Sequence, residues 1–116
     1  MVPHLDRTEL DAMVDSLGGD TATVAAIAAV YVAELDERIA AIAAAAAAGD
    51  AARVAQAAHA LKSASVTVGA VAIADTVRSV ELGARSGDLG GAPSALDHLR
   101  ALAAPTVAAL GSWPTG

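Results

Sequence analysis

The chain has 116 residues, with 7 lysines and arginines against 13 aspartates and glutamates, for a net charge of −6. That length is one domain spanning residues 1–116, able to bury one core and not two. An acidic chain without a basic tract lacks the electrostatic footprint of a nucleic-acid binder, and the absence of cysteine excludes disulfides and thiolate metal sites.

Alanine dominates, and Tyr31 and Trp113 are the only aromatic residues. Alanine is the best helix former, so an all-α protein with a thin core and closely approaching helices is expected. A short helix is predicted over residues 8–17, with Leu10, Met13, Val14 and Leu17 at helical spacing and a stop at Gly18-Gly19. Asp20 or Thr21 caps a long second helix that reaches about residue 48, with Val24, Ile27, Tyr31, Leu35, Arg38 and Ile42 along one side. Gly49 suits its C-terminal cap and Asp50 supplies the next N-cap, a turn tight enough to lay the second and third helices antiparallel.

The third helix covers residues 51–68, and Gly69 is its terminator. The fourth covers 70–86, with Ile73, Val77, Val80 and Ala84 as its apolar stripe. After a break at Gly87, Gly90, Gly91 and Pro93, Ser94-Ala95-Leu96-Asp97 resembles a capping box and opens a fifth helix over 94–110. Pro105 is expected to kink or interrupt it, and residues 111–116 to form a frayed tail with Trp113 exposed. These elements make an antiparallel up-down four-helix bundle with a short additional N-terminal helix. The apolar runs at 22–33 and 39–48 fall short of the ~18–20 residues of a membrane span, and the N-terminus has no signal-peptide pattern. A soluble, cytoplasmic protein is expected.

The third helix carries the most informative pattern. At about 100° per residue, Val54, Ala57, Leu61, Ala64, Ser65 and Val68 share the inward face. His59 points the other way, among Ala52, Ala55, Gln56, Lys62, Ser63 and Val66. Such a histidine can carry a phosphoryl group, act as a general base, or do nothing. General-base work needs a pocket, and a convex face of alanines offers none. A phosphoryl carrier needs an exposed imidazole, a nearby cation and neighbours small enough for a protein to approach. Lys62 supplies the charge; Ala52, Ala55 and Ser63 supply the clearance. Gln56 and Val66 line the docking face on this reading, and are an ordinary surface glutamine and a stray valine on the other. His4 and His98 lie far from His59 in sequence without ligand spacing, so no metal site is expected.

The run His59-Ala60-Leu61-Lys62-Ser63-Ala64-Ser65, followed by Gly69-Ala70, resembles the signature of histidine-containing phosphotransfer (HPt) domains. The likeness extends to Gly49-Asp50, Ala57-Ala58, Glu81, Ala84-Arg85 and Gly87-Asp88. It implies a four-helix bundle in which His59 accepts a phosphoryl group from an aspartate of a receiver domain and passes it to another receiver. It also implies that Mg²⁺ and the aspartate belong to the partner and that the domain needs no cofactor. No glycine-rich phosphate loop is present, in keeping with a carrier that is not itself an enzyme. The position after the lysine is most often glycine in the family and is Ser63 here, a small residue whose hydroxyl is able to donate to a phosphoryl oxygen. Similar domains place a carboxylate or amide where Glu81 falls, bonded to the histidine Nδ1; the other reading of Glu81 is a surface pair with Arg85 four residues on.

The resemblance thus implies a stand-alone, monomeric phosphoryl carrier whose partners are receiver domains and a hybrid histidine kinase. Two rivals stand beside it: a non-phosphorylated docking module that inhibits or scaffolds a receiver or kinase, and a domain served directly by a kinase's ATP-binding domain.

Overall fold

The computed structural model describes residues 4–114, which form five helices and, among these residues, no strand. They are α1 (Arg7–Ser16), α2 (Thr21–Ala47), α3 (Ala51–Val68), α4 (Val71–Arg85) and α5 (Ala92–Ser112). Starts and stops follow local chemistry. The Asp6, Asp20 and Asp50 carboxylates accept the backbone N–H groups of Thr8, Thr23 and Arg53, at 3.0, 3.0 and 3.1 Å, and so satisfy donors that a helix N-terminus leaves open. Gly49 and Gly69 end α2 and α3 in the left-handed region, at φ +67° and +75°.

The four long helices form a ring: α2 packs on α3 and α5, and α4 on α3 and α5, while α1 lies across α2 and α3. The buried positions of α3 are Val54, Ala58, Leu61, Ser65 and Val68, an alternation of fours and threes. In α2 the same alternation runs Val24, Ala28, Tyr31, Leu35. This is the seam of helices that cross at a small angle in a bundle. It refines the sequence expectation in one place and corrects it in another. Ala58 is the fully buried seam residue while Ala57 is half-buried and packs against the core, and Ala28 takes the inward place assigned to Ile27, which is 37% exposed. Side-chain size favoured the isoleucine; position on the seam favours the alanine. Alanines at 28, 45, 58, 72 and 84 keep these interfaces shallow and the helices near one another.

The segments before α1 and after α5 are tied to the bundle as far as they are described. The Asp6 N–H donates to the Gly69 carbonyl at 2.7 Å, and a Cβ on Gly69 would come within 2.2 Å of the Asp6 carbonyl oxygen. Gly69 is therefore more than a terminator: it leaves room for the N-terminal segment to cross the α3–α4 turn. At the other end Trp113 is buried, and its indole N–H donates to Asp11 Oδ1 at 3.1 Å. Arg7 on α1 also bonds the Pro114 carbonyl. The expectation of an exposed Trp113 in a frayed tail is thus overturned as far as residue 114, because the indole finds both an apolar seat and an acceptor on α1; residues 115 and 116 lie outside the described residues.

Helix α5 departs from expectation twice more. It starts at Ala92 with Gly91 at the N-cap, so Ser94 does not cap it; Pro93, with φ already helical, stands in the first turn. It also continues through Pro105 without interruption. Pro105 and Ala101, whose carbonyl loses its helical donor, both lie on the exposed side, where the carbonyl is open to solvent and the loss costs little. Helix α4 begins one residue later than expected, at Val71, and ends at Arg85.

Candidate phosphotransfer site

His59 sits near the middle of α3, and its side chain is 55% exposed. Two turns of α4 face it, and there the stripe that buries Val77, Val80 and Ala84 also buries Glu81, whose side chain is only 3% exposed. Burial of a carboxylate is costly unless charge and hydrogen bonds compensate. Glu81 has three such partners. Its Oε2 meets His59 Nδ1 at 2.9 Å and the Arg85 guanidinium, and its Oε1 takes the Lys62 ammonium at 2.6 Å. The hydrogen bond from Lys62 is the main reason the Glu81 carboxyl is held below its ordinary pKa; the His59 bond and the Arg85 charge add to it, while burial opposes them.

An ionised carboxylate only accepts hydrogen bonds, so the proton of this contact belongs to His59 Nδ1. In the neutral ring this is the tautomer whose Nε2 carries the free lone pair, and Nε2 has no hydrogen-bond partner among the described residues. Behind the histidine, α3 is anchored to α2 by the buried Tyr31 hydroxyl, which meets Ser65 Oγ at 2.8 Å; burial raises the Tyr31 pKa.

Around His59 on the same helix, Ala52, Gln56 and Ser63 are exposed, Ala55 and Lys62 are half-buried, and Val66 is 48% exposed. Glu81 bonds the imidazole and also meets Arg85 at i+4, but from a buried position and not as the surface pair of the other reading. Sequence reasoning left out the cation's own engagement, for Lys62 contacts Glu81 in this structure, and it did not give Arg85 a place at the histidine. It placed Ile27 inward and did not single out Val30 on α2 or Leu82 on α4, and all three are exposed. For Val30 and Leu82 the signal was present, since each is a large apolar residue off its helix's apolar stripe. The crevices between α2 and α3, beside Ala44 and Arg53, and between α4 and α5, beside Gly83 and Leu89, are not lined by His59, Lys62 or Glu81. Among the described residues no group of three or more histidine, aspartate and glutamate side chains is placed to hold a metal ion, and no helix is long and apolar enough to cross a membrane.

The site thus holds an outward imidazole bonded to a buried carboxylate, with two cations on that carboxylate. Residues 26–109 match the Hpt domain family, and the chain belongs to it. It is a histidine phosphotransfer protein of the phosphorelay type. The chain is similar to the crystal structure of histidine-containing phosphotransfer protein B (HptB) from Pseudomonas aeruginosa PAO1. The two share 27% sequence identity at a TM-score of 0.84, over 97% of this chain and 95% of that one. A comparison with curated proteins found no significant match.

Proposed function

We propose that His59 is the phosphoacceptor, taking its phosphoryl group from the aspartyl phosphate of one receiver domain and handing it to the aspartate of another. The observation that carries this reading is the His59–Glu81 bond, which leaves Nε2 as the free nucleophile on an exposed ring. In the forward step the Nε2 lone pair forms the N–P bond as the P–O bond to the receiver aspartate breaks, and that aspartate leaves as a carboxylate. The ring keeps its Nδ1 proton and gains a positive charge, which the Glu81 carboxylate offsets across 2.9 Å. The reverse sequence discharges the group to the next aspartate. Mg²⁺ is supplied by the receiver, and this chain contributes no cofactor.

Lys62 has a second task in this scheme. Its side chain is 25% exposed and ends on Glu81 Oε1. A four-carbon stem lets the ammonium swing toward a phosphoryl oxygen three residues away on the same helix. Ala52, Ala55, Gln56, Ser63 and Val66 form the surface on which a receiver seats. The partners must part after each transfer, so the interface is small and transient, and the protein acts as a cytoplasmic monomer.

The experiment is phosphoryl transfer from a panel of receiver domains charged with acetyl phosphate. The parent protein is expected to acquire a label that is acid-labile and alkali-stable, as a phosphoramidate is, and His59→Ala to acquire none. The variant should stay folded and helical, losing about 1 kcal/mol, because the exposed ring lies outside the core but is one of the three partners of the buried Glu81. A fully labelled His59→Ala protein would overturn the assignment.

A further inference from the structure

We propose that Arg85 is a positioning residue for phosphotransfer, acting on His59 through Glu81; this rests on the reading of His59 as phosphoacceptor. The guanidinium and His59 Nδ1 share one carboxylate oxygen, Oε2, while Lys62 alone occupies Oε1. The two cations therefore do different work. Lys62 belongs to α3 and is the cation within reach of a group arriving on Nε2. When it turns to that group, Oε1 is released. Arg85 belongs to α4, one turn beyond Glu81, so its grip does not depend on anything that happens on α3. It keeps the carboxylate ionised and pointed at Nδ1 during the interval in which Lys62 is occupied with phosphate.

The geometry also explains why a second cation is useful at all. Glu81 is 3% exposed and water cannot replace a lost partner there. A buried carboxylate that loses a cation either takes up a proton or turns away, and both outcomes release the ring. Arg85 itself is 60% exposed, so its aliphatic stem is not part of the core and its replacement should leave the bundle folded.

The test compares Arg85→Ala and Arg85→Lys with the parent, using a receiver domain charged with acetyl phosphate as donor. The tautomer of His59 is read separately by ring ¹⁵N resonances, without any receiver. For Arg85→Ala the maximal transfer rate should fall roughly tenfold, equivalent to about 1.4 kcal/mol of barrier, with the half-saturating receiver concentration unchanged. Its Nδ1–H signature should give way to a mixture of tautomers, and Arg85→Lys should restore both. An unchanged maximal rate, or a loss confined to receiver affinity with the tautomer intact, would overturn the proposal. The resonance measurement keeps the two readings apart: a parent that accepts no label sinks the phosphoacceptor assignment, whereas Arg85 is refuted by a tautomer indifferent to its removal.

Discussion

His59 Nδ1 and Glu81 Oε2 stand 2.9 Å apart across the α3–α4 seam, joining a ring that is 55% exposed to a carboxylate that is 3% exposed. The contact connects core and surface: the rigid, buried partner sets the direction of the solvent-facing one. On the proposed role of His59, orientation by a packed residue costs little entropy at the moment of reaction, since the ring is held beforehand.

Removal of the Lys62 ammonium separates chemistry from folding. In Lys62→Ala, phosphoryl transfer from a charged receiver is expected to slow by roughly tenfold or more, as for loss of one electrostatic contact to a charged transition state. The bundle should stay folded but lose about 1–3 kcal/mol, since Glu81, 3% exposed, is deprived of its main partner. Rapid-quench transfer and thermal melts measure the two quantities; equal transfer rates would leave Lys62 a purely structural role.

Glu81 makes stability depend on acidity in a definite direction. Its carboxyl is held below the ordinary glutamate value in the fold, chiefly by the Lys62 hydrogen bond, so in acid the unfolded chain binds the proton first. The stability that follows is complete above the ordinary value and disappears as pH falls through the lower, folded value. Glu81→Gln lacks this contribution. The difference in melting temperature between parent and variant should be widest at neutral pH, about 1–2 kcal/mol in free energy, and should close in acid. A gap that is constant from neutral to acid pH would contradict the geometry.

Gly69→Ala tests the crossing of the N-terminal segment. An alanine there adopts φ +75° at a cost, and its Cβ would meet the Asp6 carbonyl oxygen at 2.2 Å. A loss of about 2 kcal/mol or more is expected in urea melts. Gly49→Ala, with φ +67° and open space around the new Cβ, should lose less and so isolates the steric part.

Thr106 offers a stabilising change. Its hydroxyl is fully buried on α5 and has no hydrogen-bond partner among the described residues. Thr106→Val keeps the shape and removes the unpaired group, with an expected gain of about 1 kcal/mol. Chemical denaturation of the two proteins decides it, and a destabilised variant would show that the hydroxyl is paired in solution.

The bundle was legible because its punctuation is local. Asp20 and Asp50 cap, Gly49 and Gly69 stop, and each acts within a few residues of itself. The outward direction of His59 followed from helix periodicity in the same way. What periodicity does not resolve is which of two adjacent small residues lies on the seam, as with Ala57 and Ala58, because an alanine is indifferent to burial and only the neighbouring helix decides. The contacts of Trp113 with Asp11 and of Gly69 with Asp6 join residues distant along the chain, and no local pattern announces them. Lys62 and Arg85 were each visible as cations, yet their meeting on one carboxylate depends on how far α4 is rotated against α3.

The seat of Trp113 has a practical use. The chain holds one indole, and it is fastened to α1 through Asp11. Its emission is a built-in optical gauge of that clasp, free of interference from any other tryptophan. A stopped-flow trace of that emission would time the release of Trp113 from α1, and transfer of radioactive phosphate would time the chemistry, on the same unmutated chain.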